Sequence, residues 1–186
     1  DTPTPTPVAF VSDLEVAREA LRGGDYRNAY LLFRTAVRAA TNEADQAAAS
    51  LGACEALLAD RLPDEAIGPL GEWIDAYPAH PRQFVARIML AQAIQSATRS
   101  GTSDAALGAW REVLYIGAVP CADAVRIRIA SLLSLVGRAD QAVVELSTAL
   151  EEVNGPGAPA AARLLVAEAL RQLAVGSRDA ARVSAM

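Results

Sequence analysis

The chain has 186 residues, enough for one domain or a short helical array with a buried core. A formal charge of −5 and a pI of about 4.9 argue against any general electrostatic pull toward nucleic acid or anionic lipid. With 52% hydrophobic residues but only 5% aromatic, the core must be mostly Ala, Leu and Val, and such small side chains let helix backbones approach closely.

The chain opens Asp1-Thr2-Pro3-Thr4-Pro5-Thr6-Pro7. Pro at every second position suits neither helix nor central strand, so residues 1–11 read as an extended Thr/Pro-rich linker and 12–186 as the folded domain. Leaders of this kind commonly join a signal peptide or lipid-bearing N-terminus to an extracytoplasmic domain. The expectation is therefore an extracytoplasmic protein with its signal or anchor upstream, an interdomain linker in a cytoplasmic protein being the alternative. No apolar run is long enough to span a bilayer, so membrane insertion by this chain is not expected.

Ser12-Asp13-Leu14-Glu15 has the spacing of a capping box and predicts a first helix to about Arg22, stopped at Gly23-Gly24 where a positive φ is cheap. Asp25 is placed to cap a second helix, Tyr26 to about Ala40, and Thr41-Asn42 to cap a third, Glu43 to Ala59. Pro63 suits the first position of a fourth helix running to about Tyr77. Gly68, Pro69 and Gly71 oppose that helix, which must start later or kink at Pro69. Pro78-Ala79-His80-Pro81 breaks the chain before a helix to about Thr98, and Ser103 caps another to about Tyr115. Helices over Ala122–Leu135 and Ala139–Val153 follow, then the Asn154-Gly155-Pro156-Gly157 turn, a helix from about Pro159 to Ala174, and a short terminal one. No segment alternates apolar and polar as a strand would, so the class is all-α.

One phrase recurs: a small residue, a large apolar one four positions on, and a third three further. It reads Ala29-Phe33-Ala36, Ala66-Leu70-Trp73, Ala106-Trp110-Val113 and Ala142-Leu146-Ala149, with a weaker copy from Ala181. Offsets of about 36 to 40 residues lie near the roughly 34-residue helix–turn–helix period of tetratricopeptide (TPR) repeats. With the Gly turns at Gly24 and Gly137 and Pro78 after the second copy, the phrase resembles the second helix of a TPR. The resemblance covers roughly residues 12 to 183 and implies a right-handed α-solenoid of about four to five helix pairs. The first-helix signature, Trp/Leu-Gly-Tyr, is poorly kept, with Ala17 and Ala20, Cys54 and Leu57, Ala91 and Ile94, and Ala130 and Leu133 in its place. Trp73 to Pro81, with Ala86 and Leu90-Ala91, is similar to repeats of bacterial cell-envelope TPR proteins, including the helical N-terminal regions of secreted lytic transglycosylases.

Chemistry finds little to work with. His80 is the only histidine, and the two cysteines, Cys54 and Cys121, lack metal-ligand spacing. Cys54, in an apolar helical stretch, reads as a small core residue. There is no P-loop lysine and no Glu-Ser dipeptide of the kind the transglycosylase catalytic domain uses. The expectation is a protein that is not an enzyme and carries no metal or cofactor.

A TPR array presents its first helices along a concave groove, which implies a protein or peptide partner. Arg18, Arg22, Glu55, Gln92, Gln95, Ser131 and Ser134 are the polar candidates for that groove. The Lys/Asn clamp of chaperone-binding TPRs is absent, since the chain has no Lys, whereas Arg18 and Arg22 stand one turn apart where they can attract an acidic peptide. Two readings follow: an extracytoplasmic peptide-binding scaffold, or the non-catalytic helical region of a cell-wall lytic transglycosylase.

Overall fold

The computed structural model describes residues 7–98, 104–115, 122–153, 167 and 169–171. Its described residues form helices and turns, with no strand among them. The chain divides into two compact units, Asp1–Ala97 and Thr98–Met186.

The first unit holds α1 (Pro7–Arg22), α2 (Tyr26–Ala39), α3 (Glu43–Ala59), α4 (Pro63–Ala76) and α5 (Gln83–Ala97). The second holds α6 (Asp104–Leu114), α7 (Ala122–Leu135) and α8 (Ala139–Val153). The recurring phrase is the buried stripe of each second helix. In α2, α4, α6 and α8 every residue of the four complete copies is at most 4% exposed. The steps of four and three residues put all three side chains of a copy on one helix face. The copy beginning at Ala181 lies outside the described residues.

Two clusters make the core of the first unit, and α3 belongs to both. Ala49, Ala53 and Ala56 meet Leu14 and Ala17 of α1 and Ala29, Phe33 and Ala36 of α2. Ala47, Leu51, Cys54 and Leu57 meet Ala66, Leu70, Trp73 and Ile74 of α4 and Ala86, Met89 and Ala93 of α5. The tightest packing is at Gly52, where an added Cβ would overlap the Phe33 ring, 2.7 Å from two of its carbons. Gly52 is thus a packing position of α3, two residues before Cys54, where the sequence reading placed the first-helix signature. In the second unit Glu145 of α8 receives Arg126 of α7 at 3.2 Å and Arg111 of α6 at 3.8 Å, and Arg138 meets Asp104 at 3.0 Å.

Two expectations are corrected, and a third choice is narrowed to the start at Pro63. The first helix begins at Pro7, so residues 7–11 belong to it and not to a linker, and Ser12 is inside it instead of capping it. Pro costs nothing at a first helical position, where its missing N–H would be unpaired anyway, and the apolar run after it extends the helix. Residues 1–6 of the leader lie outside the described residues. Asp25 makes no side-chain cap; the turn is closed by its backbone N–H to the Ala20 carbonyl at 3.0 Å. Asn42 does cap, its side chain accepting the Asp45 N–H at 2.8 Å. Finally, α4 starts at Pro63 and runs through Pro69. Pro69 is exposed, so the carbonyl left without its N–H partner faces water. The helix expected from Pro159 to Ala174 is described only at 167 and 169–171, which are helical, with Leu170 packed against Ala149.

Candidate functional site

Helix spacing in the first unit differs between its two layers. The first helices touch one another, α1 on α3 and α3 on α5, whereas α2 and α4 each pack on α3 but not on each other. α1, α3 and α5 carry the sequence-derived candidates of this unit.

On α1, Arg18 and Arg22 are both exposed and flank a shallow depression of about 500 Å³ with Glu15, Val16 and Glu19. Arg22 pairs with Glu19 across one turn, and both side chains are mostly in water, so the pair contributes little. Arg18 has no ion-pair partner among the described residues. Glu55 of α3 is half-buried and paired with Arg82, just before α5, a residue that sequence reasoning did not single out. On α5, Gln92 is exposed and Gln95 half-buried. Ser131 and Ser134 belong to α7 in the second unit, where their hydroxyls donate to the Ile127 carbonyl at 2.8 Å and the Ala130 carbonyl at 3.0 Å. Each first helix thus keeps its own candidates, and Glu55 reaches off its helix to Arg82.

The break at residues 77–82 is a folded clasp. Gln83, buried, donates from Nε2 to the Ile74 carbonyl at 2.6 Å and the Tyr77 carbonyl at 3.1 Å, while its Oε1 accepts from Arg87 at 3.2 Å. It satisfies the Ile74 carbonyl near the end of α4, where Pro78 offers no N–H, and joins the His80 N–H on the Tyr77 carbonyl. His80 Nδ1 accepts the Arg82 N–H at 3.0 Å, and its ring stands edge-on to Trp73 with centroids 5.1 Å apart. Trp73 Nε1 in turn donates to the Ala47 carbonyl at 2.8 Å, tying α4 to α3. Beside this clasp lies a mostly apolar cleft of about 680 Å³, bordered by Asn42, Glu43, Tyr77 and His80. A buried Gln between two helices was the available signal for the clasp, but a Gln in sequence does not announce its burial.

Cys54 is buried and free. Desolvation first, then the carboxylates of Glu55 and Glu72, push its thiol up to about 12. It stays protonated near neutrality and is a poor nucleophile. Cys121 lies outside the described residues. Among the described residues no group of three His, Cys, Asp or Glu could hold a metal ion, and no helix is long and apolar enough to cross a membrane.

No family model matches the chain, and no curated protein does. Solved structures do match. A Podosopora anserina kinesin-light-chain-like protein of nearly identical TPR-like repeats superimposes with a TM-score of 0.71 at 19% identity, over 96% of this chain and 92% of that one. A point variant of the same protein gives a TM-score of 0.73 at 18% identity, over 97% and 92%. At these identities the likeness establishes the fold: an all-α, TPR-like helical repeat.

Proposed function

We propose that this chain is a non-catalytic interaction scaffold that holds an extended or helical segment of a protein partner across its first helices. The observation that carries the reading is the unequal spacing of the two layers, with α3 touching both α1 and α5 while α2 and α4 stand apart. Small rotations between stacked pairs turn such a layer into a concave surface suited to a partner chain. Arg18, with no partner of its own, and Arg22 offer two guanidiniums one turn apart to an acidic stretch of the partner. Gln92 and Gln95 extend the contact on α5; Ser131 and Ser134 stand on α7, in the second unit. The Glu55–Arg82 pair fixes the floor between α3 and α5 and is not itself a free anion.

The non-catalytic reading is supported by the protonated Cys54 thiol and by His80, whose Nδ1 is committed to the backbone. We place the protein outside the cytoplasm, on the strength of the Thr-Pro leader and the Tyr77-Pro78 junction shared with cell-envelope repeats. The test is a comparison of two double variants against a captured partner at fixed salt. Arg18→Glu with Arg22→Glu should weaken binding, and Arg34→Glu with Arg38→Glu on α2 should matter less. Equal loss, or loss only from the α2 pair, places the partner on the second-helix side. Salt must be held constant because exposed charges are screened over about 8 Å at physiological ionic strength.

A further inference from the structure

The second-helix side of the first unit has a feature that the peptide-groove reading does not use. Because α2 and α4 both rest on α3 without touching, a gap opens between α2 and the corner where α3 turns into α4. It is a cleft of about 540 Å³. Tyr26, Tyr30 and Leu31 border it from α2, Leu57 from α3 and Leu62 from the corner. Leu31 is 58% exposed and Leu62 36%, and together with Val16 they are the large apolar side chains that the described part of this unit leaves in water. Two of these three border one cleft, a concentration that scattered surface leucines do not show.

The walls are also charged in opposite senses. Arg27 stands on the α2 side, and Asp60 and Glu65 on the side of the corner. None of the three has an ion-pair partner among the described residues. The α2 border of the cleft thus carries a base and the corner border two acids, a polarity that an occupant with its charges in the opposite order would match.

The corner itself is held under strain. Arg61, between Asp60 and Leu62, has φ +61°, where the corresponding turns of the chain carry Gly24 at +82° and Gly137 at +77°. The hydrogen bonding is the same in all three: Arg61 N–H to Leu58 O at 3.1 Å and Leu62 N–H to Leu57 O at 3.0 Å repeat the bonds of Gly24-Asp25 and Gly137-Arg138. A residue with a Cβ is disfavoured there, and strained backbone concentrates where surrounding structure serves a function. Here the strained residue sets the two wall residues on either side of it.

We infer that this cleft is a second docking site, taking a short peptide segment of a partner protein that bears one bulky apolar side chain between an acidic and a basic residue. The apolar side chain enters between the tyrosines and Leu62, the carboxylate meets Arg27, and the base meets Asp60 and Glu65. The site is independent of the first-helix face and stands or falls separately from it.

The experiment is panning of a phage-displayed random nine-residue peptide library on the full chain, with the enriched peptides then measured by fluorescence anisotropy. Enriched peptides should share the apolar residue flanked by opposite charges. Leu62→Asp should lower affinity on the order of tenfold or more, as for loss of an anchor contact, and Leu31→Asp should lower it by placing a charge at the cleft's edge. Both side chains are exposed, so the variants should melt like the parent, and Arg18→Glu with Arg22→Glu should leave affinity unchanged. Arg27→Glu should be rescued by a peptide whose acidic residue is replaced with Lys. Three results overturn the proposal: no enrichment over an unrelated helical protein, binding that ignores Leu31→Asp, or a dimer of this chain that Leu31→Asp dissociates.

Discussion

Adjacent helices α3 and α4 of the first unit solve opposite packing problems. α3 is sandwiched, contributing to both core clusters, and eight of its residues are buried. α4 lies at an edge, buries the stripe Ala66-Leu70-Trp73 with Ile74, and turns Gly68 and Pro69 outward. Both contain glycine, for different reasons. Gly52 of α3 is filled by its neighbour's ring, whereas a Cβ on Gly68 or Gly71 of α4 would meet nothing within 4 Å. Glycine is a packing requirement in the sandwiched helix and only a propensity cost in the edge helix.

The sharpest way to break this contrast is at the ring that fills Gly52. Phe33→Ala should destabilise the first unit by about 3–5 kcal/mol in urea unfolding, the range for a buried aromatic truncated to Ala. Next in size, Gly52→Ala should cost about 1–3 kcal/mol, since the Phe33 ring must move out of a packed core. The two positions touch, so they should not add: with Phe33→Leu already in place, Gly52→Ala should cost less than it does alone. Additive losses would show that Gly52 is not held against Phe33.

What the sequence made legible follows the same division. The second helices were readable because an edge helix has one buried stripe, and Ala29-Phe33-Ala36 and its copies mark it by spacing alone. The sandwiched first helices were not, because burial on several sides erases periodicity: Ala47, Ala49, Leu51, Ala53 and Ala56 are all buried yet fit no single face. That is why the contact between Gly52 and the Phe33 ring was not legible in the sequence. Among the candidate site residues, helix membership was legible and partnership was not. Nothing local to Glu55 names Arg82, 27 positions away, as its partner. The exposed cleft beside Tyr26 and Tyr30 was missed too, since it arises from two helices failing to meet.

A smaller effect tests the corner. Arg61→Gly should stabilise the protein by about 1 kcal/mol, because glycine takes a left-handed conformation without the Cβ clash. Gly24→Ala and Gly137→Ala, at the matching turns, should destabilise by a similar amount. If Arg61→Gly leaves the urea midpoint unchanged, the three turns are not equivalent, and contacts of the Arg61 side chain offset its backbone strain.

The smallest effect concerns the open face of α4. Gly71→Ala should raise stability by about 0.5–1 kcal/mol, since Ala loses less backbone entropy in a helix and the added methyl group has room. Gly68→Ala should gain less, because the Pro69 ring crowds a Cβ on the residue before it. Gly108 of α6 is equally open, so Gly108→Ala serves as a control from a helix without an internal proline. The comparison is informative because Gly68 and Gly71 flank Pro69, whose ring crowds the preceding turn and removes one hydrogen bond. A gain at Gly108 with none at Gly71 would mean that the backbone beside Pro69 departs from the conformation Ala prefers. The edge helix would then use glycine to accommodate its proline, and the contrast with Gly52 would become one between two kinds of necessity.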